Sequence, residues 1–244
     1  MKTWAGKSYW LIGASEGLGA ALARVMSASG VSLILSARGE DGLRAVADGL
    51  PGPAEVSPLD VTDQQAVTDA AARILPQVDG VVHLAGVYWP VDGKDWNAGY
   101  VTTMAQVNFL GALNVAGAVV PHMVGRDAGH FVLTGSLSGF RGLPGAIGYS
   151  ASKAGVMSLA ESLHCDLRGT GVQVQLANPG FIKTRLTDKN DFKMPMLMSP
   201  DKAARLMFEH MTTDNFSRSF PAPFSWVFRL GQFLPDGLYY RIFA

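Results

Sequence analysis

The sequence predicts an α/β fold, a single domain built on a doubly wound parallel sheet with helices on both faces. Three observations lead there. Strand-like apolar runs alternate with longer helical stretches down the chain. The runs are apolar almost without interruption, so both of their faces are buried, and helices on either side of a parallel sheet supply that burial. The first run ends in a glycine-rich turn that opens the first helix, and right-handed crossovers then wind the sheet both ways.

Ser8–Ile12 (SYWLI) is the first strand and Leu18–Ser29 the first helix. Val31–Ser36 (VSLILS) follows as a strand, Asp41–Leu50 as a helix and Ala54–Leu59 as a third strand. Thr62 is the expected cap of the helix Asp63–Leu75, because a threonine oxygen accepts from the orphan N–H groups of a first turn. Asp79–Leu84 (DGVVHL) is the fourth strand, Gly99–Met123 a long helix, and His130–Thr134 (HFVLT) the fifth strand. Ser150–Arg168 is helical and Val172–Ala177 (VQVQLA) is the sixth strand. No repeat, low-complexity tract or linker breaks residues 1–244, so one domain is expected. Beyond Thr184 strand signals are few.

Hydrophobic residues make up 48% of the chain and charged residues 16%, which excludes a disordered protein. Lys+Arg and Asp+Glu balance at 20 each, so bulk charge offers no nucleic-acid-binding surface. Cys165 stands alone, which removes an internal disulfide and a thiolate zinc site. No metal is expected, and a reducing, cytoplasmic location is. Tyr9–Ile12 is too short for a signal-peptide core, and no apolar window of about 18 residues is evident, so membrane insertion is not expected.

The first turn reads Gly13-Ala-Ser-Glu-Gly17-Leu-Gly19. Glycines there let the backbone turn sharply and let a phosphate approach the helix N-terminus. Alone, the spacing serves close strand–helix packing equally well; its place between the first strand and first helix favours the phosphate. The second strand ends Ser36-Ala37-Arg38, with no Asp or Glu in that turn. A guanidinium there attracts a ribose 2′-phosphate and favours NADP(H) over NAD(H), although a solvated surface arginine reads the same. Tyr149 and Lys153 are four residues apart, on one helix face, where a cation lowers a phenol's pKa. Ser136 follows the fifth strand, at the end of the sheet where open α/β sheets bind ligands.

In combination these residues make the chain resemble the short-chain dehydrogenases/reductases. The matching segments are GASEGLG (Gly13–Gly19), LDV (Leu59–Val61), Ala85-Gly86, Asn108 in QVNFLG, Ser136 in TGSLSG, YSASK (Tyr149–Lys153) and NPGFIKT (Asn178–Thr184). The resemblance implies a Rossmann-like fold and an NADP(H)-dependent interconversion of a carbonyl and an alcohol. Tyr149 would be the general acid in reduction and the base in oxidation. Lys153 would lower its pKa and hold the nicotinamide ribose, and Ser136 would bond the substrate oxygen. Asn108 would hold a relay water and a local irregularity in its helix. Gly13, Ser15, Gly17, Leu18 and Gly19 would line the pyrophosphate, with Arg38 at the ribose phosphate. Asp60 and Val61 would meet the adenine, and Ala85 and Gly86 the cofactor beyond it. Pro179, Gly180, Ile182 and Thr184 would border the nicotinamide. A homodimer or homotetramer is expected on the same grounds. The rival is a non-catalytic NADP(H)-binding sensor or scaffold on the same fold.

Four features depart from the family. Ile12 stands where the family has Thr, and His83-Leu84 replace its paired Asn. Loss of both partners of a hydrogen bond can be nearly neutral, so a compensated packing swap is expected, with His83 a core histidine. Arg38 has no second basic residue in the glycine loop, and the tail 219–244 is aromatic-rich. Residues 183–200 are the expected substrate lid, with Met194, Met196 and Met198 suited to adaptable apolar contact and hence to a lipophilic substrate. In Pro223–Leu234 the residues Ser225, Arg229 and Gln232 share one face of an amphipathic helix. That helix packs on the protein or a sister subunit, walls an apolar substrate pocket, or makes peripheral contact with a membrane through 222–244.

Overall fold

The computed structural model describes residues 3–243. Seven parallel strands form one sheet: β1 (Ser8–Ile12), β2 (Ser32–Ser36), β3 (Ala54–Val56), β4 (Gly80–His83), β5 (Gly129–Thr134), β6 (Val172–Pro179) and β7 (Ser217–Phe220). Their order is β3-β2-β1-β4-β5-β6-β7. The chain reverses direction of winding between β1 and β4, so a crevice opens at the carboxyl ends of those strands. The helices are α1 (Gly17–Ala28), α2 (Glu40–Asp48), α3 (Gln64–Ile74), α4 (Ala98–Met104), α5 (Gly111–Gly125), α6 (Ile147–Asp166), α7 (Pro200–Met211), α8 (Phe224–Gly231) and α9 (Asp236–Phe243).

Alternate strand residues point to opposite faces. Trp10, Val81 and Phe131 pack with Val67, Val115 and Val156 from α3, α5 and α6. Their neighbours Leu11, Val82 and Val132 pack with Leu22, Met26 and Met207 from α1 and α7. Each large side chain fully buried this way contributes about 1.5–3 kcal/mol. This two-sided burial is the reason the strands read as unbroken apolar runs.

Several expectations are corrected. Asp63, not Thr62, caps α3: its Oδ1 accepts from the Ala66 N–H at 2.9 Å, while the Thr62 hydroxyl donates to Asp60 at 2.8 Å. The strand β7 was not foreseen, because SRSF is a short, polar segment at the sheet edge, paired to β6 from Leu176↔Ser217 to Pro179↔Phe220. The long central helix, by contrast, carries the irregularity expected at Asn108. Ala105–Leu110 between α4 and α5 is π-helical, with the Gly111 N–H reaching back to the Gln106 carbonyl. Residues 98–125 together are long and apolar enough to cross a membrane by length and composition, although Thr102, Gln106 and Asn108 interrupt the apolar run. Here 44% of that apolar window is buried and α5 packs on α3, so part of the apolarity serves the core, while Leu110, Leu113 and Val124 stay exposed.

Ile12 and Leu84 do not exchange a bond for a contact. Ile12 packs on the α3–α5–α6 face and Leu84 on the other. Each finds its own apolar surroundings, while the Leu84 N–H still donates to the Ile12 carbonyl at 2.7 Å. In the tail, Ser225 does not join Arg229 and Gln232 at the surface: it is buried, and Trp226, Val227, Leu230 and Phe233 face outward. Arg141 clamps this end, donating to the Leu234 carbonyl at 2.7 Å, pairing with Asp236 and lying 3.9 Å over the Tyr239 ring.

Candidate active site

A cavity of about 1030 Å³ lies at the carboxyl ends of the central strands. All the site residues named from sequence line it except Asn108. At one end is the loop between β1 and α1. Gly13 (φ +98°) and Gly17 (φ +54°) take left-handed backbone conformations that favour glycine. A Cβ on Gly19 would fall 2.0 Å from the Gly13 carbonyl oxygen, so the turn closes only without a side chain. The N–H groups of Gly17, Leu18 and Gly19 open α1 and have no acceptor within the helix. Glu16 does not cap them, because its carboxylate pairs with Arg185. A positive helix end is therefore presented to the cavity.

Arg38, at the end of β2, is exposed on the cavity wall and has no ion-pair partner among the described residues. Nearby Glu40 is held by Arg44. Asp60 orders its own turn by accepting from the Thr62 N–H at 2.9 Å, and Val61 lies against Gly111. Ala85 presses on Gly13, and Gly86 has Asn108 and Lys153 close by on the side where a Cβ would project. An anion-ready helix end, a guanidinium without an ion-pair partner among the described residues and a glycine-lined cleft fit a pyridine dinucleotide.

At the other end α6 carries Tyr149 and Lys153 one turn apart, and Ser136 ends the loop after β5. The Ser136 Oγ accepts from the Ser138 N–H at 3.1 Å, which fixes the hydroxyl in the cavity wall. Lys153 is buried, and its Nζ donates to the Thr134 carbonyl at 2.9 Å. The ammonium sits 5.9 Å from the centre of the Tyr149 ring. Burial pulls Lys153 down to about 8. Burial also pushes the Tyr149 phenol up to about 12; the polar side chain of Ser136 works against this and Tyr88 adds to it. Desolvation dominates the resting phenol, while the ammonium donates to the Thr134 carbonyl. Tyr149 therefore rests as a neutral phenol.

Asn108 lies behind this wall, fully buried in the π-helical segment. Its Oδ1 accepts from the Val87 N–H at 2.7 Å, and its Nδ2 donates to the Val87 carbonyl (2.9 Å) and Ser152 Oγ (3.0 Å). Ser152 in turn donates to the Tyr149 carbonyl at 2.8 Å. Asn108 thus ties the loop after β4 to the helix that carries Tyr149. His83 is buried with its Nε2 unpartnered among the described residues. Burial first, and the Lys153 charge second, drive it down to about 3, so the ring is neutral.

The sequence reading missed much of the pocket wall. Tyr88 meets Tyr149 edge to face, and Lys189 donates to the Tyr88 carbonyl at 2.6 Å while lying 4.1 Å over the Trp89 ring. The aromatic doublet directly after Ala85-Gly86-Val87 was the available signal. Phe181, Phe192, Phe224 and Phe228 form the apolar wall, and the last two agree with the reading of the tail helix as a pocket wall. The three lid methionines are not in it: Met198 is buried, bridging Phe181 and Lys183 through backbone bonds of 2.9 Å each, and Asn190 and Phe192 face the cavity instead.

Comparison with known proteins agrees with this architecture. The family model for short chain dehydrogenase matches residues 7–194. The chain belongs to that family, and it is an oxidoreductase. An uncharacterized oxidoreductase of Myxococcus xanthus is 37% identical over 233 residues, covering 93% of this chain and 92% of that protein. The 3-oxoacyl-[acyl-carrier-protein] reductase FabG of Thermotoga maritima is 31% identical over 195 residues, 75% and 77% of the two chains. A short chain dehydrogenase/reductase from Burkholderia phymatum in complex with NAD superposes with a TM-score of 0.85 at 25% identity over 94% of each chain. A short chain dehydrogenase from Burkholderia cenocepacia J2315 in complex with NADP shares the fold, with a TM-score of 0.88 at 21% identity over 100% of each chain.

Proposed function

We propose that this chain is an NADP(H)-dependent oxidoreductase that interconverts a carbonyl and an alcohol on a lipophilic small molecule. The observation that carries the reading is one cavity with a phosphate-ready helix end and an unpaired Arg38 at one side, and Ser136, Tyr149 and Lys153 at the other. When bound, the nicotinamide donates or accepts the hydride. The protein's part is the proton and the geometry. Tyr149, neutral at working pH, gives its proton to the substrate oxygen in reduction and recovers it in oxidation. Ser136 donates a hydrogen bond to the same oxygen. Lys153, charged below about 8, stabilises the phenolate that remains. The glycine loop holds the pyrophosphate with Gly13, Ser15, Gly17, Leu18 and Gly19. Asp60, Val61, Ala85, Gly86, Pro179, Gly180, Ile182 and Thr184 line the rest of the cofactor's path.

Two finer points belong to the same reading. The related structures carry NAD in one case and NADP in the other, and Arg38, with no carboxylate beside it, favours NADP(H). Phe181, Phe192, Phe224 and Phe228 favour a substrate with an apolar body. The enzyme works in the cytoplasm as a homodimer or homotetramer, for which exposed Leu110, Leu113 and Val124 on the central helix offer contact surface. The test is NADPH consumption over a panel of aldehydes and ketones of increasing chain length, with Tyr149→Phe alongside. Wild type turns over and prefers longer chains; the variant binds NADPH and is slower by about 10²–10⁴-fold. Binding of NADPH without turnover of any substrate would assign the chain to the sensor class instead.

A further inference from the structure

We propose that α8 and α9 dock this enzyme onto an anionic lipid surface. The proposal stands apart from the catalytic reading, since it rests on the outer face of the tail. Helix α8 is apolar on two sides. Phe224 and Phe228 face the cavity. Trp226, Val227, Leu230 and Phe233 point the other way with 59, 49, 67 and 79% of their surface exposed. In α9, Leu238, Tyr240 and Ile242 are also exposed. The two short helices touch where the Phe228 and Phe243 ring centroids lie 6.1 Å apart, and Leu238 and Ile242, four residues apart, share one exposed face of α9. Trp and Tyr among aliphatic side chains suit the boundary between headgroups and acyl chains.

Charge selects the occupant. Arg229 and Arg241 are exposed and have no ion-pair partner among the described residues. Asp236 is the only carboxylate of the two helices, and Arg141 holds it. An apolar ridge edged by two free guanidiniums matches an anionic bilayer surface. A second copy of the chain meets it poorly: a two-fold contact through this face would bring four arginines together, and the Asp236 side chains, held by Arg141, are the carboxylate side chains that the described residues of α8 and α9 offer them. Docking through the outer face sets the cavity wall formed by Phe224 and Phe228 directly behind the lipid surface.

Co-sedimentation with phosphatidylcholine vesicles, with and without phosphatidylglycerol, tests this. Wild type should bind the phosphatidylglycerol vesicles at least about tenfold more tightly than pure phosphatidylcholine. Leu230→Glu/Phe233→Glu should lose binding to both, and Arg229→Gln/Arg241→Gln should lose only the preference for the anionic lipid. All these side chains are exposed, so NADPH turnover of a water-soluble aldehyde, measured without vesicles, should match wild type. That assay reports on the catalytic reading separately, and circular dichroism reports on folding if no turnover exists. No binding by wild type, or equal binding by the Leu230/Phe233 variant, overturns the proposal. A dimer seen by sedimentation equilibrium that dissociates in that variant, with no vesicle binding, gives the surface to a second copy.

Discussion

The rings of Tyr88 and Tyr149 meet edge to face, with centroids 5.1 Å apart and planes at 80°. The Tyr88 hydroxyl donates to Asn190 Oδ1 at 2.8 Å, so one side chain spans from the proposed proton donor to the proposed lid. Tyr88→Phe keeps the ring contact and loses the lid bond. The expected result is a KM about three- to tenfold higher, from the loss of roughly 1 kcal/mol of hydrogen bonding, with kcat changed less than twofold. Steady-state kinetics checks it, and a large fall in kcat alone would place Tyr88 in the chemistry rather than in closure.

Lys153 titrates near 8 and supplies the positive charge beside the phenol. Reduction should therefore slow as pH rises through about 8. Stability should move the other way. Between about 8 and the ordinary lysine value the unfolded chain binds the extra proton, so stability rises with pH until Tyr149, raised to about 12, reverses the trend above 10. Lys153→Met should flatten both profiles. Urea unfolding and initial rates across pH 7–10 measure the two slopes, and parallel slopes would remove Lys153 as their source.

Arg38 faces the cavity without a carboxylate partner among the described residues. Arg38→Ala should weaken NADPH binding about tenfold or more and leave NADH nearly unchanged, since a charge-assisted contact to one phosphate is lost. Calorimetric titration with both nucleotides decides it; equal losses would mean that the arginine serves the loop and not the phosphate.

His83 is buried, neutral and drawn down to about 3. Its unfolded pKa lies higher, so the unfolded chain takes up the proton first as pH falls below about 6.5. Stability should drop by on the order of 1 kcal/mol per pH unit from there toward 3 because of this residue. His83→Asn should reduce that slope. Denaturant midpoints between pH 4 and 7 provide the comparison, and an unchanged slope would show that the carboxylates alone set the acid limit.

The sheet and the glycine turn after β1 were legible because their physics is local. Buried parallel strands must be apolar on both faces, and Gly13, Gly17 and Gly19 sit where a side chain cannot. The succession of β1–β6 along the chain followed from that, whereas the grouping of Ser136, Tyr149 and Lys153 rested on the family resemblance. Residues whose roles depend on distant partners were hidden. Ser217–Phe220 becomes a strand only because β6 offers it an edge. Ser225 is buried because Phe224 and Phe228 turn toward a pocket assembled from elsewhere in the chain. The acidity of Tyr149 likewise depends on how deeply it is packed, which a Tyr–Lys spacing does not encode.

The central seat of β1 also sets a timetable for biosynthesis. Ser8 binds Asp79, which lies 71 residues further along the chain. At about 5–20 residues per second, roughly 4–14 s of translation separate the first strand from the neighbour that completes its flank. Trp10 and Leu11, wholly enclosed in the finished sheet, wait out that interval on the ribosome. A nascent chain halted before residue 79 should recruit a folding helper at the exit tunnel, and one released past β4 should let it go.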